Sequence, residues 1–515
     1  KKSQSELLGD LFRAYFDTRK HKRNTNSQLK FEFNFEHNLV ELCNQIVTRT
    51  YRPNPAICFI TEVPVKREIF ASPFAHRIVC RLLYNYIAPM FEARMIFDSY
   101  SCREGKGVLV GIERLEHHLR SCTHNYTRKA HVLKLDLRGY FMSIDKRILH
   151  RILMESLDKY WPRPSGDGRR WCDRLDRELI DYLIEVILFR NPTEGCYVLG
   201  RASDWDGLPA SKSLFNTPEN VGLAIGDITS QLFSNIFMDH FDQFIKRQLH
   251  CRHYGRYVDD FYVIHPDRQY LEALVVRLKE FLEAELHLTI HPKKIVLQPY
   301  NYGVAFLGAY VKPFRRYATK SSVKRFHVRM SQLEAECRHG AVAYNRLVEI
   351  RAVLNSYCGH FVHFKAFRML KAQFSDSPLR KYFDFSGNFR KAVIKQHFLP
   401  QWKMPFEEDE AVEEPSSLPS DNQVRGDTSG TAVSGVGYGR YTNSDHVLRS
   451  AQLAIVACRL PLCESLPSFN LSDSLCRSPK KQYTLPIIAA DLVFEDNNRQ
   501  KQTFLMKIVY LSYKP

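Results

Sequence analysis

Two adjacent aspartates between apolar, strand-forming residues constrain this chain more than any other feature. They lie in residues 256–264, RYVDDFYVI, at positions Asp259 and Asp260. The flanking β-branched and aromatic residues predict two strands joined by a tight turn. Adjacent acids in a hairpin are commonly a solvated turn, so this motif needs a partner before it indicates chemistry.

The partner is an apolar run that ends in an acid. Residues 131–141, HVLKLDLRGYF, predict a strand that finishes at Asp136. Nucleotidyl transfer with two metal ions needs oxygen ligands that converge on cations about 3.5–4 Å apart. Asp136 and Asp259 on neighbouring strands would supply them, with the Leu137 carbonyl as a further ligand. Strand alternation predicts that Asp260 points in a different direction from Asp259.

Magnesium is the cation that this donor set favours. It binds through a few carboxylates plus substrate phosphates rather than in a closed protein cage. Two Mg²⁺ ions are therefore the expected cofactors, with Mn²⁺ as a substitute. Asp136, Asp259 and Asp260 are the predicted catalytic residues, and all three together with Leu137 are the predicted metal ligands.

A third motif lies between the two acidic strands. Residues 222–233, GLAIGDITSQLF, predict a turn followed by a helix that begins near Thr229, because the apolar residues after it recur with a helical period. That apolar stripe is typical of core. Gly226 permits a close backbone approach, and Gln231 is predicted to face an incoming base pair.

Composition and charge indicate a basic, intracellular protein. Lys and Arg number 74 against 56 Asp and Glu, so the net charge of +18 favours a polyanionic partner such as nucleic acid, although a merely soluble basic protein has the same composition. The 13 cysteines form no C-x-x-C pair, which argues against a zinc finger and is typical of reduced thiols. No apolar run is long enough to span a membrane, and residues 1–25 contain no secretory signal pattern. We expect a cytoplasmic location, in a prokaryote or encoded by a phage.

The three motifs, in their order along the chain, resemble those of reverse transcriptases. The resemblance extends over most of residues 10–400. It implies an RNA-directed DNA polymerase with an α/β right-hand fold: fingers, a palm of antiparallel sheet plus helices, and a helical thumb. The implied divisions are a basic N-terminal helix (1–30), fingers (31–130), palm (131–312, with an insertion at about 160–221), thumb (313–404) and an extension (405–515). The extension is acidic and then rich in Ser, Gly, Pro and Thr, which is typical of disorder. Short strands are predicted within it at 482–487 and 501–513, but no function.

The resemblance also implies roles for single residues. Phe141, five positions after Asp136, would be the gate against a ribose 2′-hydroxyl, and Lys293, rather than Lys294, the lysine near the pyrophosphate. The remaining implied contacts are with the nucleotide (Lys66 and Arg67), the template (Arg103 and Lys106) and the primer (Phe306, Leu307 and Gly308). For the basic residues a solvated surface position is the competing interpretation.

Within this family the sequence is most similar to reverse transcriptases of diversity-generating retroelements. Residues 225–231, IGDITSQ, stand where many relatives carry a Gln-Gly…Ser-Pro form. The resemblance implies error-prone copying of a template RNA opposite adenine, with cDNA or primer, dNTPs and a small basic accessory protein as partners. Ile225 and Gln231 are the hypothesised fidelity residues. The alternatives are an antiphage or other retron-like reverse transcriptase, and a non-catalytic RNA-binding scaffold.

Overall fold

The computed structural model describes residues 2–20, 25–62, 65–338, 340–399, 487–495 and 501–509. The chain divides into two compact units, Lys1–Glu407 and Glu408–Pro515. Within the described residues, none of the helices combines the length and apolar character needed to cross a membrane.

The first unit contains all of the described helices. They are α1 (Gln4–Arg19), α2 (Asn26–Glu32), α3 (Phe35–Val47), α4 (Phe74–Glu92), α5 (Val108–Cys122), α6 (Tyr140–Ser143), α7 (Lys146–Tyr160), α8 (Arg177–Leu188), α9 (Ile228–Gln243), α10 (Arg268–Leu286), α11 (Lys320–Arg338), α12 (Tyr344–Phe361) and α13 (Phe367–Phe374).

The strands of the first unit form three sheets and a hairpin. They are β1 (Ile57–Thr61), β2 (Arg67–Ala71), β3 (His131–Asp136), β4 (Tyr197–Val198), β5 (His253–Tyr257), β6 (Asp260–His265), β7 (Val296–Pro299), β8 (Val304–Phe306), β9 (Ala309–Lys312), β10 (Arg315–Ala318), β11 (Phe383–Phe385) and β12 (Ala392–Ile394).

The central sheet has the strand order β5-β6-β3-β7, and every neighbouring pair is antiparallel. Both strands predicted around the acidic motifs are therefore present, and they are direct neighbours. β6 is buried along most of its length because its residues 261–264 are all apolar or aromatic. This sheet is the predicted palm sheet, and the mixed α/β fold class is confirmed.

Helix α9 is the predicted helix of the third motif, and it starts one residue earlier than predicted. It is buried around nearly its whole circumference, so it runs through the core instead of covering it. On its sides lie α4, α7 and α10. α10 is amphipathic, with five leucines spaced three or four residues apart on its buried face. A helix buried this deeply fixes the position of the turn that precedes it.

Two smaller elements flank the central sheet. One is the sheet β2-β1-β4, in which β4 belongs to the predicted insertion. The other lies beyond β10, where α11 to α13 and the hairpin β11-β12 enclose an apolar core of their own, with Phe326, Met330, Ile350 and Leu354 fully buried. This helical unit matches the predicted thumb, whereas the exact bounds of the subdomains stay predictions.

Of the second unit, the described residues form one antiparallel hairpin, β13 (Ile487–Glu495) with β14 (Lys501–Val509). The prediction of a strand at 501–513 overlaps β14. Of the strand predicted at 482–487, the described part is Ile487 alone, the first residue of β13, and residues 482–486 lie outside the described residues. The remainder of the predicted extension, including its acidic stretch, lies outside the described residues.

Candidate active site

The acidic ends of β3 and β6 meet at one edge of the central sheet. In the register of the two strands, Asp136 lies directly opposite Asp260. The Leu137 N–H donates to the backbone carbonyl of Asp259 at 3.3 Å, which places the third acid at the same edge. Acids that are distant in the chain are therefore brought together, as the sequence predicts.

The strand register fixes the face on which Asp260 lies. Directly opposite residues of an antiparallel pair lie on the same face of a sheet, so Asp260 shares a face with Asp136 and with Lys134. Asp259 belongs to the turn before β6, not to the strand, and the predicted difference in direction between Asp259 and Asp260 stays a prediction. All three acids thus border one region of the sheet edge.

The turn that carries Asp259 is held from below by a buried arginine. Val258 has a φ of 57°, which is unusual for a β-branched residue. Arg256 donates to the Val258 carbonyl at 3.0 Å and forms a 2.7 Å ion pair with Asp242, and both side chains are fully buried. Backbone strain of this kind persists only where the surrounding structure enforces it.

Burial and mutual repulsion shape the charge of the two neighbouring acids. Burial and then the charge of Asp136 raise the pKa of Asp259, while Lys294 and Arg67 oppose the rise. Burial also raises the pKa of Asp260 to about 6, with Lys134 opposing. These carboxylates are consequently poised to gain from a nearby cation.

The donor set fits divalent cations. Asp260 Oδ1 is buried and has no hydrogen-bond partner, so a ligand is required to satisfy it. Lysine ammonium groups lie against two other carboxylate oxygens: Lys294 Nζ is 2.7 Å from Asp136 Oδ1, and Lys134 Nζ is 3.1 Å from Asp260 Oδ2. Among the described residues the three carboxylates do not yet converge on a common centre. The Leu137 backbone is at the same edge.

Lys293 is not the lysine that faces the carboxylates. Its side chain is exposed and its N–H donates to His291. The short turn Pro292–Lys294 is a 3₁₀-helix, in which consecutive side chains point in widely different directions. Lys294 is the lysine that contacts Asp136, and the choice of Lys293 over Lys294 for the pyrophosphate stays a prediction.

The turn before α9 packs tightly against the fingers strand β2. Gly226 has a φ of 148°, and a Cβ there would lie 2.6 Å from the Phe70 carbonyl oxygen. The Phe70 N–H donates to the carbonyl of Ile225 at 3.2 Å. Ile225 and Phe141 are both partly buried against one small apolar cluster, whereas Gln231 is exposed at the start of α9. The close approach predicted at Gly226 is thus present.

The predicted fingers residues differ in their surroundings. Arg67 is exposed and close enough to Asp259 to oppose the rise of its pKa. Lys66 donates to the carbonyl of Asp206 at 2.8 Å, so it is tied to the insertion. Arg67 is therefore the better placed of the two for contact with a triphosphate.

The predicted template and primer residues differ in their contacts. The Arg103 side chain is 6% exposed and donates to Glu92 and to two backbone carbonyls. It therefore stabilises its own loop, and its contact with a template stays a prediction. Lys106, which stays a prediction, lies 3.2 Å over the ring of Phe97. Phe306 is buried against Tyr262, which leaves the turn at Leu307 and Gly308 as the accessible part of the predicted primer contact.

Sequence reasoning missed Arg256, Asp242 and Lys134. Their signal was weak, because a charged residue in or beside an apolar strand is normally solvated. The first two are instead a fully buried pair, and Lys134 lies on the face of β3 that carries Asp136. Arg256 could have been recognised as a buried structural residue only if Asp242 had been known to be its partner.

Paired strands that end in acids, with a buried helix and a close glycine turn beside them, define a palm-type nucleotidyltransferase domain. Residues 186–311 match the family model described as "Reverse transcriptase (RNA-dependent DNA polymerase)". This span contains the turn before α9 and the acids Asp259 and Asp260, and it begins after Asp136. Residues 186–311 are therefore similar to a reverse transcriptase domain, and the chain is an enzyme of the nucleotidyltransferase class.

Further similarities include a curated protein and a solved structure. Protein YkfC of Escherichia coli (strain K12) is 24% identical over 301 residues, which are 52% of this chain and 69% of that protein. A solved telomerase from Candida albicans, in complex with the TWJ fragment of telomeric RNA, aligns with 14% identity, 64% coverage of this chain and a TM-score of 0.36. This chain covers 56% of the telomerase chain.

Proposed function

We propose that this protein copies a template RNA into cDNA by two-metal nucleotidyl transfer at Asp136, Asp259 and Asp260. The observation that carries the proposal is the register of β3 with β6, which places Asp136 opposite Asp260. The turn that contains Asp259 lies beside this pair. Two Mg²⁺ ions, or Mn²⁺ in their place, would lower the pKa of the primer 3′-hydroxyl and neutralise charge on the leaving pyrophosphate.

The side chains around the acids have separate tasks. Lys294 contacts Asp136 and Arg67 is near enough to Asp259 to influence its pKa, and both would bind triphosphate oxygens as charge-assisted donors. When the cations bind Asp136, Lys294 would leave that carboxylate and pair with a phosphate oxygen instead. Phe141 lies beside Ile225 in the apolar cluster under the turn, where its ring would press against the sugar and exclude a 2′-hydroxyl.

The finer proposal is that the cDNA is error-prone and diversifies a target gene by mutagenic retrohoming, with a small basic accessory protein as partner. It is supported by the residues 225–231 and their setting. Ile225 is bonded through its carbonyl to β2, the strand that also carries Arg67. A change in this turn would alter how tightly the nascent base pair is held between fingers and palm.

Sequencing of the cDNA made on one adenine-rich RNA template tests the finer proposal. Ile225→Gln and Gln231→Ala are the informative variants, because proline at the fourth position of α9 would also remove a helix hydrogen bond. We expect misincorporation opposite adenine to fall in both variants while errors opposite the other bases change little. Unchanged adenine errors at equal extension would remove the assigned role of these two residues.

A further inference from the structure

A second group of donor side chains lies where α4 packs against the start of α9. His76 and Cys80 are one helical turn apart on α4, and Asp227 immediately precedes α9. The ligand atoms of the three side chains all lie within 4.8 Å of one another. His76 is 2% exposed, Asp227 is 7% exposed and Cys80 has no exposed surface. Nucleotidyl transfer as proposed above uses none of these groups.

The side chain of Asp227 does not cap α9. Asp227 occupies the N-cap position of α9, where an aspartate side chain usually accepts a hydrogen bond from the first turn of the helix, yet its side chain makes no such bond. One carboxylate oxygen accepts from the Ser72 hydroxyl at 2.7 Å. The other, Oδ1, is buried without a partner. A buried carboxylate oxygen in this state calls for a ligand that the protein itself does not provide.

The imidazole of His76 is oriented as in metal sites. Its Nδ1 is 2.9 Å from the Tyr51 hydroxyl, and metal-binding histidines ordinarily have their second nitrogen held in this way. Its Nε2 is 3.4 Å from Cys80 Sγ and 4.0 Å from Asp227 Oδ2. Zn–N and Zn–S bonds of about 2.0–2.3 Å place the donor atoms of a tetrahedral site roughly 3.5 Å apart.

The space beside these side chains agrees with a bound ion and one water. His76 and Asp227 line a cavity of about 30 Å³, enough for one water as a fourth ligand.

We propose that His76, Cys80 and Asp227 bind one zinc ion, with water in the fourth position. Thiolate and imidazole donors favour zinc over magnesium, which prefers oxygen ligands alone. The Cys80 thiol would lose its proton to solvent when zinc binds, and the resulting thiolate and carboxylate would balance the two positive charges.

The ion would join α4 to the turn that contains Gly226. That turn already packs on β2 through the carbonyl of Phe70, so zinc would fix it from the opposite, helical side. The three side chains are buried, which makes the role of the ion structural. It is separate from the carboxylate site, whose donors are all oxygens.

Cobalt(II) substitution of the full-length protein tests the proposal, because a Co–thiolate bond gives an intense near-ultraviolet charge-transfer band that oxygen ligands do not give. We expect one equivalent of cobalt to produce this band in the parent and in Cys122→Ala, a buried cysteine in a different apolar cluster. The band should be absent in Cys80→Ala. In Asp227→Asn the apparent affinity for cobalt should be at least tenfold lower than in the parent. An undiminished band in Cys80→Ala would overturn the assignment.

X-ray absorption on the zinc-loaded parent covers the case in which Cys80→Ala does not fold. One sulfur and two or three nitrogen or oxygen neighbours around zinc would support the site. A first shell without sulfur, or with several sulfurs, would contradict it. A chelator is also expected to lower the melting temperature of the parent and of Cys122→Ala by the same amount, and an unchanged melting temperature after complete zinc removal would exclude the structural role.

Discussion

Arg256 and Asp242 form a fully buried ion pair, 2.7 Å apart, directly beneath the turn that carries Asp259. The same guanidinium donates to the Val258 carbonyl and to the Ser99 hydroxyl, and Asp242 also accepts from Tyr254. The pair thus connects α9, β5 and the turn. Its consequence is that the position of Asp259 depends on a salt bridge that no substrate touches.

Asp242→Asn should destabilise the protein strongly. The substitution leaves Arg256 buried without its counter-charge, and removal of one partner of a buried pair costs about 3–5 kcal/mol. Urea denaturation followed by circular dichroism measures the change in the free energy of unfolding. The matched control is Glu272→Gln, which breaks the Arg268–Glu272 pair on the surface of α10 and should cost less than about 0.5 kcal/mol. Equal effects of the two substitutions would contradict the assigned role.

Lys294→Ala should reduce primer extension far more than Lys293→Ala. Lys294 lies against Asp136, while Lys293 is turned to solvent. Loss of a cation that contacts the triphosphate is expected to lower kcat/KM for dNTPs by about 10²–10³-fold, as for other groups that stabilise developing charge. Lys293→Ala should remain within about twofold of the parent, by the same measure. A larger defect in Lys293→Ala would support the sequence-based choice.

Gly226→Ala should loosen the contact between the turn before α9 and β2. The backbone at Gly226 is in the left-handed half of φ space, and the new Cβ would clash with the Phe70 carbonyl. We expect a loss of about 1–3 kcal/mol in the free energy of unfolding from strain alone, together with reduced extension. Gly387→Ala is the control, because a Cβ there meets no atom within 4 Å. A neutral Gly226→Ala would show that the turn tolerates a side chain.

The parent should lose stability relative to His253→Gln as the pH falls from about 6.5 to about 4. Burial, followed by the charges of His118 and Arg252, lowers the pKa of His253 to about 4. The unfolded chain, with a histidine pKa of about 6.5, therefore takes up a proton first. The linked loss starts at the unfolded pKa and is complete below the folded one.

Thermal or urea unfolding of both proteins across that range measures the difference. Above pH 7 the two profiles should run parallel, and at pH 4 the parent should have lost about 1–2 kcal/mol more than the variant, after allowance for solvent screening. Parallel profiles over the whole range would mean that His253 is not shielded from water as described.

The sequence carried enough information to predict the paired acids but not their surroundings. Apolar strands that end in Asp136 and flank Asp259 are local patterns, and their pairing follows from burial of both strands in one sheet. The helical period after Thr229 likewise predicted α9. In contrast, the choice between Lys293 and Lys294 depends on the twist of a three-residue 3₁₀ turn, and Arg103 reads as a solvated loop residue until its three internal partners are placed around it. Long-range partners of charged residues leave no periodic trace in a sequence.

Primer extension on an RNA template with Mg²⁺, comparing the parent with Asp259→Asn, tests the central claim most directly. Asp384→Asn, at an exposed position of the thumb hairpin, is the matched control. We predict that Asp259→Asn lowers extension by at least about 100-fold, as expected when a metal ligand loses its charge, while it binds the template–primer as the parent does and unfolds no more easily. Extension by Asp259→Asn at the rate of the parent and of Asp384→Asn would contradict catalysis by these carboxylates.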